Sequence, residues 1–100
     1  MKIVDVLNLL EPNKLVIVIT PNEREAKLLY DRFILSKLAT PIDKNSLNAN
    51  GSELLITHSH SGECLPASYS RVIVEFPEAC PRQLFKKLPV ENVVFSGEIV

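Results

Sequence analysis

The chain has 100 residues, 46% of them hydrophobic and 23% charged, with a formal net charge of −1 at pH 7. That length supports one domain with a single core, and the balanced charge excludes a general electrostatic pull toward nucleic acid or anionic membrane, so any such binding must come from a local cluster. The longest apolar run, Leu15 to Ile19, is far too short to span a bilayer, the amino end has no signal-type core, and two cysteines make no disulfide framework; cytoplasmic residence is expected, or nuclear if a parent protein is nuclear, with both thiols reduced.

Met1 to Leu10 places Ile3, Val6, Leu7 and Leu10 on one face and Lys2, Asp5 and Asn8 opposite. This is the period of an amphipathic helix, which Pro12-Asn13 then stops. Lys14 to Thr20 has no polar interruption from Leu15 to Ile19 and reads as a strand central in a sheet. Thr20-Pro21-Asn22-Glu23 then reads as a helix start, with Thr20 as N-cap, Pro21 at the first position and Glu23 closing a capping box. The predicted helix runs to about Leu38. It buries Ala26, Leu29, Tyr30, Phe33 and either the Lys37 stem or Leu38, and leaves Glu23, Arg24, Lys27, Asp31 and Arg32 in water.

Thr40 to Asp43 adds a short strand, and Lys44 to Ser52 reads as a polar turn. Leu54 to Thr57 and Arg71 to Pro77 hold short, β-branched apolar runs, the pattern of strands covered on both faces. Cys80 to Pro89 reads as a short helix with Pro81 at its first position and Leu84, Phe85 and Leu88 as its apolar face. Val90 to Val100 supplies a last strand with Val93, Val94 and Phe95 as its core, and the apolar ending Ile99-Val100 suits a fragment of a larger protein. The alternation predicts an α/β fold, a mainly parallel sheet of about five strands with helices on both faces.

The loop after Thr57, which holds both His residues and Cys64, leaves the carboxyl end of a strand, where open α/β sheets bind ligands. His58, His60, Cys64 and Cys80 are four candidate zinc ligands, with the Cys64 and Cys80 loops expected on neighbouring strands. Their spacing, H-x-H-x3-C-x15-C, has no C-x2-C knuckle. Cys64 with His58 or His60 would make a nucleophile and base. Against this, six residues rather than the five of a phosphatase loop separate Cys64 from Arg71, and a strand follows where a helix amino terminus would hold the phosphate. No G-x-x-x-x-G-K and no G-x-G-x-x-G is present, so no nucleotide loop and no cofactor are expected. Arg82, Lys86 and Lys87 read first as a solvated helix face with its lysines near the carboxyl end.

The run Leu54 to Pro77 resembles the fifth motif of superfamily 2 helicases and the strand after it. Thr57 matches the motif's Thr, Gly62 its Gly, Pro66 its Pro, and Arg71 to Pro77 the second strand. His58 stands where the family places an acidic residue, Ser61 where it places Arg and Cys64 where it places Asp, and the loop is one residue short. Leu15 to Thr20 is similar to the strand of the fourth motif. The helix, strand and helix that open the chain resemble the entry to the second RecA-like lobe of DEAD-box-like proteins.

Residues 39–52 are fewer than the family spends there, which implies a helix lost or reduced to a turn around Asn45 to Leu47. The paired arginines of the sixth motif are absent, Arg82-Gln83 standing in their place. The resemblance implies a shortened, degenerate second lobe, of the kind found in Yb-type tudor-domain proteins of small-RNA silencing. It would be a scaffold without ATP hydrolysis that contacts RNA, a protein partner, the other helicase lobe of its parent chain or itself. The RNA contacts so implied are Thr20, Asn22, Arg24, Thr57, His58 and Gly62, with Arg82, Lys86 and Lys87 as phosphate or partner contacts. A small α/β enzyme or zinc-binding module built on the His58, His60, Cys64 and Cys80 loops is the alternative. The apolar last strand leaves an edge that self-association would cover.

Overall fold

The computed structural model describes residues 1–61, 66, 68–88 and 91–100. Its elements in chain order are α1 (Ile3–Asn8), β1 (Leu15–Thr20), α2 (Glu23–Leu35), β2 (Thr40–Pro41), β3 (Ser46–Ala49), β4 (Ser52–His58), β5 (Arg71–Glu75), a 3-10 turn (Pro77–Ala79), α3 (Arg82–Lys87) and β6 (Val93–Ser96). They form one six-stranded mixed sheet of order β2-β3-β4-β1-β5-β6. The run β4-β1-β5-β6 is parallel, and β2 and β3 extend it antiparallel at one side.

β1 lies inside the sheet, paired with β4 on one side and β5 on the other, as its uninterrupted apolar run requires. Alternation along the strands divides the core into two layers. Val16, Val18, Leu54, Ile56 and Ile73 meet α1 and α2 through Ile3, Val6, Leu7, Leu29 and Phe33. Ile17, Ile19, Val72 and Val74 face the opposite way and meet Cys80, Leu88 and the partly buried Leu84 and Phe85 of α3. Each fully buried aliphatic or aromatic side chain contributes roughly 1.5–3 kcal/mol by leaving water.

Several expectations are corrected. Asn22, not Thr20, caps α2: its side chain accepts the Glu25 N–H at 2.9 Å, while Thr20 remains the last residue of β1. The helix stops at Leu35 rather than near Leu38. Ser36 turns its hydroxyl back onto the Phe33 carbonyl at 2.6 Å, and Lys37 takes a left-handed backbone with φ of 61°. Leu38 is therefore outside the helix and half exposed.

The region read as a polar turn contains β3. Ala49 pairs with Ser52 across Asn50-Gly51, both at positive φ, the backbone of a two-residue primed turn. No helix stands at Asn45 to Leu47, in line with the alternative that it is lost, and β3 rather than a turn takes Ser46 and Leu47. β4 and β5 are not neighbours, because β1 lies between them. Pro81 precedes α3 as its N-cap. On β6, Phe95 is 60% exposed, and the buried apolar residue of the last segment is Ile99.

Candidate binding groove at the carboxyl edge

β1 and β4 end side by side, with Thr20 in register with His58. Thr20 is 0% exposed, and its hydroxyl lies 3.1 Å from the carbonyls of both Asn22 and Thr57, to either of which it donates. The chain leaving β4 then crosses the end of β1. Ser59 donates its N–H to the Thr20 carbonyl at 2.9 Å and its hydroxyl to the Pro21 carbonyl at 2.7 Å. Thr20 and Ser59 thus close the sheet edge from within, and the Thr20 hydroxyl does not reach a ligand.

Beside this closure a cavity of about 490 Å³ opens between α2 and the end of β4. α2 contributes Lys27 and Tyr30, the turn before β3 contributes Lys44 and Asn45, and β4 contributes Thr57 and His58. The far wall is held by the turn's own chemistry. The Asp43 carboxylate accepts the N–H groups of Asn45 and Ser46 at 2.8 and 2.9 Å, and these bonds hold its carboxyl below the ordinary range. Tyr30 ties that turn to α2 by donating its hydroxyl to the Asp43 carbonyl at 2.6 Å. Glu23 and Asp31 share the wall with the two lysines, so the groove offers charges of both signs rather than a cationic surface.

Of the residues singled out from sequence, Thr57 and His58 line this groove. Asn22 is spent as a helix cap, and Arg24 is exposed on the first turn of α2. Arg82, Lys86 and Lys87 are exposed on α3, which packs against the opposite layer of the sheet, so they do not join the groove. His58 Nδ1 accepts the His60 N–H at 3.3 Å, and His60 is exposed. Gly62 and Cys64 lie outside the described residues.

Cys80 is 8% exposed and packs among Ile19, Val74 and Leu88. Burial pushes its thiol above the ordinary value, which the neighbouring Ser59 only partly offsets, so it is neither a ready thiolate nor a ready metal ligand. Among the described residues, no group of three or more His, Cys, Asp or Glu side chains is placed to hold a metal ion.

Sequence reasoning missed Lys27, Tyr30, Lys44 and Asn45 as groove residues. The signal for the turn was present in Asp43-x-Asn45-Ser46, an Asx-turn pattern. It also missed Glu75, the last residue of β5, which is 1% exposed with one carboxylate oxygen on the Ile99 N–H at 2.8 Å and the other without a hydrogen-bond partner among the described residues. Comparison of the chain with protein-family models, curated proteins and solved structures finds no match. Among the described residues no helix is long and apolar enough to cross a membrane.

Proposed function

We propose that this chain is a non-catalytic α/β binding module, akin to a shortened second RecA-like lobe of a superfamily 2 helicase, and that it holds a short stretch of single-stranded RNA across the groove between α2 and β4. One observation carries the reading. The groove opens at the carboxyl edge where the connections of the parallel strands diverge to the two sides of β1, the position at which open α/β sheets bind ligands. Lys27 and Lys44 face it from separate elements and supply phosphate contacts, while Asn45, Thr57 and His58 supply hydrogen bonds to sugar, phosphate or base edge. Glu23 and Asp31 offset the two lysines, so affinity is weak and salt-sensitive.

Non-catalysis belongs to the same reading. The sequence has no phosphate loop, and phosphoryl transfer depends on positioned charge around the transferring group. The test is binding of a short single-stranded RNA at low and moderate salt by the wild type and by Lys27→Glu, Lys44→Glu and Thr57→Ala. Each charge reversal is expected to weaken binding and to reduce the magnitude of the salt slope by about one. Affinity indifferent to all three substitutions, or absent even at low salt, would remove RNA from the reading.

The open edge of β6 favours self-association as a second reading. Val93–Ser96 carries no charge, and Phe95 stands exposed against Phe85, their rings 5.8 Å apart, whereas the other edge, β2, is short and ends in Pro41. A strictly monomeric mass at high concentration would exclude it.

A further inference from the structure

Glu75 ends β5 on the sheet face that carries α1 and α2, and its side chain is enclosed there. Oε2 accepts the N–H of Ile99 at 2.8 Å, and Oε1 has no hydrogen-bond partner among the described residues. Ile99 belongs to a clasp that joins the two ends of the described chain. Val100 donates its N–H to the Met1 carbonyl at 3.0 Å, Ile3 donates to the Val100 carbonyl at 2.7 Å, and the Met1 amino group donates to the Glu98 carbonyl at 3.1 Å.

The charged groups facing Glu75 come from α2 and from this last segment: Glu25 and Arg32 on the helix, and Glu98 beside Ile99. Arg32 is already committed, donating to the Ile99 carbonyl and to the Glu98 carboxylate at 3.0 Å each. On the other side of the sheet, Cys80 Sγ lies 3.9 Å from the Glu75 carbonyl, and its thiol is held neutral by burial. Phe76, the next residue, is held at φ 51° and ψ 61°, a left-handed conformation uncommon for an aromatic side chain and one that stores strain beside the carboxyl.

We propose that Glu75 is a proton-operated latch on the terminal clasp. With the carboxyl neutral the clasp is shut; when the carboxyl loses its proton to solvent, residues 97–100 lift from the sheet and give up their pairing with residues 1–3. An ionised Glu75 would be a buried charge with one hydrogen bond, two carboxylates for neighbours and a guanidinium engaged elsewhere. It regains solvation only by admitting water under Ile99 or by drawing Arg32 off the Ile99 carbonyl, and either event loosens the clasp. Burial holds the carboxyl above its ordinary range, with Glu25 and Glu98 adding to that effect and the Ile99 N–H and Arg32 opposing it. The sign follows: the open form releases a proton that the closed form keeps, so opening is favoured as pH rises from the ordinary glutamate range up to the closed-state value and is constant above it. This device does not depend on RNA binding.

Amide hydrogen exchange, normalised for intrinsic rate, at Ile3, Ile99 and Val100 from about pH 4 to about pH 8 tests it. In the wild type the clasp amides should open about tenfold more for each pH unit between the ordinary glutamate range and the closed-state value, while the Ile73 amide in the core of the sheet, which exchanges only when the whole sheet opens, stays far more protected at every pH. Glu75→Gln keeps an acceptor for Ile99 without a charge, and its clasp amides should be flat with pH. Glu98→Gln should retain the wild-type slope. A wild-type clasp that is flat with pH, a slope shared by Glu75→Gln, or a slope that disappears with Glu98→Gln instead would overturn the latch. The wild-type pH dependence of Ile99 opening, at a level where Ile73 stays protected, decides the matter even if a variant folds poorly.

Discussion

The carboxyl edge of the sheet has two halves, and neighbouring strands end in them differently. At the end of β1 the buried polar residue is Thr20, whose hydroxyl finds carbonyl acceptors on Asn22 and Thr57. At the end of β5 it is Glu75, which is met on one oxygen and left unmet on the other. The first half can be closed from within and still leave an open groove beside it, because a neutral hydroxyl needs little to satisfy it. A carboxyl cannot be enclosed on those terms without becoming sensitive to its proton. A residue can therefore be equally buried at two strand ends and be inert scaffold at one and a switch at the other.

The largest effect expected from breaking this contrast is at Ile99, which is fully buried over Glu75. Ile99→Ala should cost about 2–5 kcal/mol, measured by urea unfolding. By letting water reach the carboxyl it should also flatten the decline in stability with rising pH that is expected of the wild type above the ordinary glutamate range; an undiminished decline would mean that Ile99 does not shield Glu75. Thr20→Val comes next. It removes the hydrogen bond that the buried hydroxyl donates to the Asn22 or Thr57 carbonyl and should cost about 0.5–1.5 kcal/mol, by the same amount at acid and neutral pH because no titrating group is removed. A cost that changes with pH would erase the distinction between the two strand ends. The smallest effect is Glu98→Gln, which removes the half-exposed Arg32 pair and should cost no more than about 1 kcal/mol.

Much of the fold was legible in the sequence, and the parts that were not share a physical cause. The apolar run of Leu15 to Ile19 announced an interior strand because both faces of that strand are covered, and the faces of α1 and α3 followed from their spacing. β3 was hidden because Ser46–Ala49 is only four residues long and polar Ser46 and Asn48 break up its apolar Leu47 and Ala49, although only Asn48 faces solvent. The Asn50-Gly51 turn was the signal that could have found it. The α2 cap was misplaced because Thr20…Glu23 and Asn22…Glu25 both satisfy the capping pattern. Pairing Thr20 into β1 decides between them, and that pairing is a tertiary fact. Glu75 could not be read locally, since a charged residue closing an apolar run looks like a strand leaving for solvent. What buries it is Ile99, distant in sequence and brought back by the clasp.

The open half of the edge is tested most directly by mapping amide chemical shifts while a short single-stranded RNA is titrated into the full chain at low salt. Perturbations are predicted at Lys27, Lys44, Asn45, Thr57 and His58, which surround the groove, with the Glu75 and Ile99 amides unmoved because their half of the edge is enclosed. Perturbations centred on Arg82, Lys86 and Lys87, on the opposite layer, or none at all, would contradict RNA binding in the groove.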